Sequence, residues 1–233
     1  MYRIFPSPRQ CTFYHNTLSC TSYGSVTTAP EIEESCRAAG FDSAPLLASV
    51  FPGGFSPEGI TLTAEYVSCA PEGFQLNIAP SGIRISCGDG AGFFYALGVL
   101  VQLAAQAGGA LPCAEIADEP VLSVRGIMLD IGRDKIPAME TLRRLIDLFA
   151  SMRINHLQMY MEGFSFDYED FHYLFTNETP MTPAEFRELS LYARAHFIDL
   201  VPNQNVLGHM EKWLEKPQFR SLAECEDGYI FEN

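Results

Sequence analysis

The sequence predicts a small α+β domain over residues 1–118, followed over residues 119–233 by three βα units that pair in parallel. Three observations predict it. Residues 60–87 alternate in hydropathy around a tight turn and lead into an apolar helix. Pro112 and Pro120, together with a change in composition, mark a junction near residue 118. Beyond it, short apolar runs alternate with amphipathic helical stretches.

The elements follow in order. ITLTAEYVSC (60–69), FQLNIA (74–79) and IRISC (83–87) are rich in β-branched and aromatic residues, and the last two form a hairpin with its turn at Ser81-Gly82. A helix runs from about Ala91 to Ala107, with Phe94, Leu97, Val101, Leu103 and Ala104 on a wide apolar face, and Gly108-Gly109 ends it. LPCAEIADEP reads as the connector between domains. VRGIMLDI (124–131) is a continuous apolar run, as expected of a strand buried on both faces. Pro137 opens a helix through Arg153, with Leu142, Leu145, Ile146, Leu148 and Phe149 on its apolar face. HLQMYM (156–161) is the second strand. Thr182-Pro183-Ala184-Glu185 is a capping box that opens a helix to about Phe197, and IDLVPNQN (198–205) is the third strand. A doubly wound sheet and a (β/α)8 barrel both begin this way. A closed barrel needs about 200–250 residues, and Arg125 to Asn233 number 109, room for three units of an open arc.

With 47% hydrophobic and 19% charged residues, the 233-residue chain can bury a core. Its net charge of −14 excludes the basic footprint that nucleic acid or an anionic membrane surface requires. Residues 1–118 hold four of the fifteen bases, and the first lysine is Lys135, so composition shifts near residue 118. Seven cysteines, an odd number without a C-x-x-C, fit neither a disulfide framework nor a zinc ribbon, and free reduced thiols are expected. MYRIFPSPRQ lacks the charged and apolar regions of a signal peptide, and the run Ala91–Ala107, interrupted by Gly98 and Gln102, is too short and mixed to span a bilayer. A cytoplasmic setting without membrane partners is expected, and no oligomeric state is fixed.

GDGAG (88–92) sits between a strand and a helix, but Phe93 stands where a dinucleotide fingerprint needs its third glycine, so a tight turn is expected and no cofactor. His209 and Glu211 form H-x-E without a downstream P-C-x-x-C, so no metal is expected either. The loop 162–181 mixes Phe164, Phe166, Tyr168, Phe171 and Tyr173 with Glu162, Asp167, Glu169 and Asp170. It can stack on and hydrogen-bond to a sugar, or equally fold on its own aromatics behind a solvated acidic rim. The third strand ends in Asn203, Gln204 and Asn205, with His209 nearby, a crowding of polar groups that favours a site over a core.

The stretch AGFFYALGVLVQL…LPCAEIADEPVLSVRGIMLDIGR resembles the domain junction of family 20 glycoside hydrolases. There, a YA-x-x-x-L-x-QL helix and an I-x-D-x-P connector precede RG-x-x-LD-x-x-R. In this chain those positions are Tyr95, Ala96, Leu100, Gln102 and Leu103, then Ile116, Asp118 and Pro120, then Arg125, Gly126, Leu129, Asp130 and Arg133. R-x-N-H-L-Q-M-Y-M-E and V-P-N-Q-N-x-x-G-H-M-E resemble the family's second and third barrel strands, so the likeness runs from about residue 60 to the end.

The resemblance implies an α+β N-terminal domain followed by the first three βα units of an incomplete (β/α)8 TIM barrel. It implies a β-N-acetylhexosaminidase acting on N-acetylhexosamine-containing glycans by a retaining, substrate-assisted mechanism. An Asp-Glu pair on the fourth strand orients the acetamide and protonates the leaving oxygen. That pair is expected beyond Asn233, which leaves no catalytic residue in this chain and no activity from it alone. Arg125 is implied to hold sugar hydroxyls. Asp130 and Arg133 brace the tip of the first strand, and His209 supports the general acid. The family's aspartate partner for that histidine falls at Gly163, and Glu162 is the candidate to replace it and to meet the substrate. The alternative is a non-catalytic carbohydrate-binding or interaction module. A nucleotide-binding doubly wound domain lacks a phosphate loop.

Overall fold

The computed structural model of the chain describes residues 2–133, 135–174 and 179–224; Cys225 and Phe231-Glu232-Asn233, singled out in the sequence, lie outside the described residues. The first unit is a mixed six-stranded sheet covered on one face by three helices. Its elements are β1 (Gln10–Ser19), β2 (Tyr23–Thr28), α1 (Pro30–Ala39), α2 (Ala44–Val50), β3 (Ile60–Tyr66), β4 (Phe74–Ala79), β5 (Gly82–Cys87), α3 (Gly90–Ala107) and β6 (Ala110–Asp118). The strand order is β1-β6-β4-β5-β3-β2. β4 and β5 form the expected antiparallel hairpin, but Ala79 pairs with Gly82, so the two-residue turn is Pro80-Ser81 and Gly82, at φ 139°, is already in the ladder.

Strand alternation builds the core. Leu62, Leu76, Ile78, Ile83, Ile85, Ala114 and Ile116 point to the helix face and are buried, while Gln75, Asn77, Arg84 and Glu115 between them face solvent. α3 supplies the other half of the core through Phe93, Leu97, Leu100 and Leu103. By length and composition it could cross a bilayer, but here it is the core helix. Asp89 caps it, with its Oδ1 accepting the Gly92 N–H at 2.7 Å. A Cβ on Gly92 would meet the Gly73 carbonyl oxygen at 2.4 Å, so the helix can approach that carbonyl this closely only over glycine. The GDGAG run is thus a turn and a cap.

The expected connector LPCAEIADEP is instead largely a strand. β6 lies between β1 and β4, with Leu111, Cys113 and Ala114 buried. Pro112 is tolerated because β4 pairs with β6 only as far as Ala114, so Pro112 has a neighbour on one side alone. The true connector is the short stretch 119–125.

The second unit is a parallel sheet in the order β7-β8-β9: β7 (Gly126–Asp130), β8 (His156–Met161) and β9 (Asp199–Gln204). α4 (Met139–Ser151) follows β7 and α5 (Pro183–Ala195) follows β8. α4 opens two residues later than expected, because Ala138 is extended and serves as its N-cap. The capping box of α5 forms as read, with Thr182 and Glu185 bonding each other's backbone N–H. Leu142, Ile146 and Phe149 of α4 pack with Leu157, Met159 and Met161 of β8 and Leu189 and Ala193 of α5.

One expectation for this half is corrected. β7 is not buried on both faces: Ile127 and Leu129 meet the helices, while Met128 is 58% exposed on the other face. No strand among the described residues lies across from that inner face, so its alternate side chains meet solvent.

Candidate functional site

Register places Asp130, Tyr160 and Asn203 side by side on the inner face, one at or near the C-terminal end of each parallel strand. That end of parallel strands is where loops and strand tips assemble sites. The segments that follow add Gly132-Arg133, Glu162-Gly163, Gln204-Asn205 and His209. The Tyr160 hydroxyl donates to Glu162 Oε2 at 2.8 Å and accepts from Asn205 Nδ2 at 2.6 Å. Arg133 Nε reaches Glu162 Oε1 at 3.2 Å and Asp130 Oδ2 at 3.3 Å, and its guanidinium lies 5.7 Å from the centre of the Tyr160 ring. Hydrogen bonding to Tyr160 and Glu162, with the charge of Asp130, raises the pKa of Arg133 above its ordinary value. His209 Nδ1 is 3.7 Å from Glu162 Oε2. The structure therefore brings Glu162, His209, Asp130 and Arg133 together.

Glu162 is well placed because Gly163 bends the chain. Gly163 has φ 56°, and a Cβ there would stand 2.6 Å from Lys212 Cδ. A side chain at 163 is thereby strained by its backbone, and the carboxylate facing His209 comes from Glu162. The Gly163 carbonyl accepts from Trp213 Nε1 at 2.9 Å. Trp213 lies in the short helix α6 (Glu211–Leu214) and packs against Phe164, Phe171 and Phe219 at 4.8–5.6 Å between ring centres. Phe164 and Trp213 are buried, so most aromatics of the long loop form a small core of their own and do not offer an open stacking face. Of the two arrangements the loop's composition allows, the structure has the self-packed one. Tyr168, part-buried, donates to Gln204 Oε1 at 2.9 Å, and Asp167 pairs with His172. Beside the cluster, a cavity of about 860 Å³ opens between the loops after β7 and β8, bordered by Gly132, Asp167 and Lys212.

Arg125 is elsewhere. It precedes the first residue of β7, at the N-terminal end of the sheet, and every arm of its guanidinium is engaged. Nε donates to the Arg153 carbonyl at 2.6 Å, Nη1 to the Leu122 carbonyl at 2.8 Å, and Nη2 to Glu72 and, at 3.3 Å, to the Tyr95 hydroxyl. Asn155 Nδ2 donates to the other oxygen of Glu72 at 2.7 Å, and Arg153 pairs with Asp118. Burial, reinforced by the charge of Glu72, raises the Tyr95 pKa well above that of a free tyrosine, and burial lowers that of Arg153. The implied sugar contact of Arg125 is thus corrected: the residue ties the first sheet to the second. Tyr160 and Trp213 are site residues that sequence reasoning missed, whereas Asn205 belongs to the polar strand tip that it singled out; the signal for Tyr160 is its place in HLQMYM, two residues before Glu162 and so on the same face.

Among the described residues no group of three or more His, Cys, Asp or Glu side chains is placed to hold a metal ion. The arrangement offers a guanidinium, two carboxylates, an amide and an imidazole within one open tip, a set suited to hydroxyl-rich ligands.

Comparison with known proteins matches residues 1–119 to the model described as glycosyl hydrolase family 20, domain 2, and residues 123–228 to that of the glycosyl hydrolase family 20 catalytic domain. The chain is 28% identical over 158 residues to a β-hexosaminidase of Akkermansia muciniphila, covering 59% of the chain and 32% of that protein. It is 27% identical over 153 residues to a lacto-N-biosidase of Bifidobacterium bifidum, covering 66% of the chain and 14% of that protein. Its fold matches that of an exo-β-N-acetylglucosaminidase from Vibrio harveyi, solved with N-acetylglucosamine, with a TM-score of 0.75 at 20% identity over 91% of the chain and 37% of that structure. A β-N-acetylhexosaminidase from Bacteroides fragilis matches with a TM-score of 0.75 at 22% identity, over 91% and 46%. The chain thus spans a third or less of the length of these curated relatives and under half of these solved chains.

Proposed function

The chain belongs to glycosyl hydrolase family 20, and from that membership we propose that residues 119–233 form the sugar-holding arc of a β-N-acetylhexosaminidase, with residues 1–118 as its supporting domain. The substrate is a glycan ending in a β-linked N-acetylhexosamine. The observation that carries this reading is the meeting of Arg133, Asp130, Glu162 and His209 at the C-terminal ends of three parallel strands.

Arg133, not Arg125, grips the sugar. Its planar fork suits donation to two adjacent hydroxyl oxygens, while Asp130 and Glu162 accept from the hydroxyl hydrogens. His209 supports the general acid, with Glu162 in place of the family's aspartate, whose position is Gly163 here. The reaction is retaining and substrate-assisted: the acetamido oxygen attacks the anomeric carbon as the glycosidic bond breaks and the leaving oxygen takes a proton. The carboxylate that orients the acetamide and the acid that gives the proton belong to a fourth strand, and none lies among the described residues beyond β9. On their own they bind the sugar without cleaving it. A reducing, cytoplasmic setting suits the six free thiols of the described residues.

Calorimetric titration with N-acetylglucosamine tests the reading. The 233-residue chain should bind, and Arg133→Ala should abolish binding. No p-nitrophenol should be released from the p-nitrophenyl N-acetylglucosaminide. Absence of binding by the unaltered chain overturns the assigned site, and measurable release overturns the division of labour.

A further inference from the structure

Tyr160 of β8 joins all three strands: its hydroxyl oxygen meets Glu162 and, from the β9 side, Asn205, while Arg133, following β7, stands over its ring. We propose that Tyr160 is a positioning residue that sets the geometry of the Arg133–Glu162 pair; this rests on the reading of the site given above. A phenol has one proton to give, and a carboxylate can only accept, so the 2.8 Å contact with Glu162 Oε2 uses that proton. The hydroxyl's lone pair then receives the Asn205 amide at 2.6 Å, which fixes the direction of the hydroxyl from the β9 side. With Oε2 of Glu162 held, Oε1 turns to Arg133 Nε at 3.2 Å. The Tyr160 ring meanwhile lies under the guanidinium, 5.7 Å from ring centre to Cζ, where a cation is attracted to the ring face. Tyr160 therefore acts on Arg133 twice, through its ring and through the carboxylate.

The consequence is at the other end of the guanidinium. Arg133 makes its closest approach to both Glu162 and Asp130 through Nε, and the side chain as a whole is 61% exposed. A flexible arginine left that open would sample many rotamers and lose entropy on binding. Tethered at Nε and supported on a ring, it presents its two terminal nitrogens in one plane to an incoming pair of hydroxyls. Tyr160 need not touch the sugar for this. Asn205, following the third strand, makes the pair's geometry depend on β9 as well as on β7 and β8.

Tyr160→Phe keeps the ring and removes the hydroxyl. The expected result is an N-acetylglucosamine Kd raised about tenfold, the order of one charge-assisted hydrogen bond, with little change in Tm. Asn205→Ala should weaken binding in the same direction, and the double variant should bind no worse than Tyr160→Phe, since both act through one oxygen. NMR of the arginine side chains gives a readout that needs no sugar: the Arg133 Nε–H should be protected from exchange in the unaltered chain and should exchange rapidly in Tyr160→Phe. Two results would overturn the proposal: sugar binding unchanged in Tyr160→Phe while Arg133→Ala loses it, or an Arg133 Nε–H that stays protected. If the unaltered chain binds no sugar, the functional reading fails, and the Nε–H exchange alone decides whether Tyr160 positions Arg133.

Discussion

At the residue scale, the most instructive pair is Arg125 and Arg133, both in the run RGIMLDIGR. Arg125 precedes β7 and Arg133 follows it, so the two flank the strand at opposite ends. Strand polarity alone therefore assigns only Arg133 to the C-terminal face where barrel sites lie, and that much is legible in the run itself. What is not legible there is the partner of Arg125. Glu72 lies 53 residues upstream in a turn, at φ 64°, a conformation that no hydropathy pattern announces. The Arg125–Glu72 pair is mostly buried, at 18% exposure for each side chain. Removing one charge from such a pair leaves the other buried without its counterion. Glu72→Gln should therefore lower unfolding stability by about 3 kcal/mol in urea titrations while leaving N-acetylglucosamine affinity unchanged. The thiols make a second prediction at this scale. Burial first, then the charge of Asp89, pushes Cys36 up to about 11 and Cys87 up to about 12. Both folded values exceed the ordinary 9.0, so the stability they contribute is fully present below pH 9 and lost as pH rises towards 11 and 12. Tm should stay level from neutral pH to about 9 and then fall, and Cys36→Ala should shrink that fall. Cys87, fully buried, should resist iodoacetamide at pH 8 that labels exposed Cys11.

At the element scale, the sequence is most readable where caps and periodicity agree. Thr182-Pro183-Ala184-Glu185 names its own helix start, and the structure has both reciprocal bonds. Thr182→Ala removes the side-chain acceptor for the Glu185 N–H, and should cost about 1 kcal/mol of stability, measured as a lower urea midpoint at constant slope. Gly163→Ala should cost a similar amount, about 1 kcal/mol, because φ 56° and the nearby Lys212 stem both oppose a Cβ. The elements that escape reading have physical reasons too. β1, QCTFYHNTLS, is an edge strand with nine of its ten residues exposed, and offers no alternation of buried and solvated positions. Its pairing with β6 is interrupted by an irregularity between Phe13 and Thr17. β6 looks like a connector in the sequence because of Pro112 and Pro120, and a proline signals a break unless the far side of the ladder is known to be empty. α1 is within reach, since Pro30 stands at its start and Gly40, at φ 77°, just past its end, the usual asymmetry of helix punctuation.

At the scale of the whole molecule, the division into a sheet-and-helix layer and a βα series is legible from the change of rhythm, while the seam between them is not. The seam is built from residues distant in sequence: the Arg125–Glu72 and Arg153–Asp118 pairs, and a cluster of Phe41, Phe94 and Phe197 with ring centres 5.3–5.6 Å apart. It joins two units of unequal self-sufficiency. In the first, β4 and β6 are flanked by strands on both sides over a continuous core. In the second, β7 and β9 are the outer strands of a three-stranded sheet, each with one backbone edge unpaired among the described residues, and the inner face leaves Met128 in solvent. Hydrogen exchange should therefore be graded. Amides of β4 and β6 should exchange last, through global unfolding, and those of β7 and β9 should exchange orders of magnitude sooner through local opening, with β8 between them. The seam sets how far apart the two units unfold. With it intact, the first unit lends stability to the second, so Glu72→Gln should speed exchange in β7 and β8, and should speed it in β4 and β6 only by the global stability that the variant loses. Equal protection of β7 and β4 in the unaltered chain would mean that the second unit is as self-sufficient as the first, and that the seam carries no stability from one to the other.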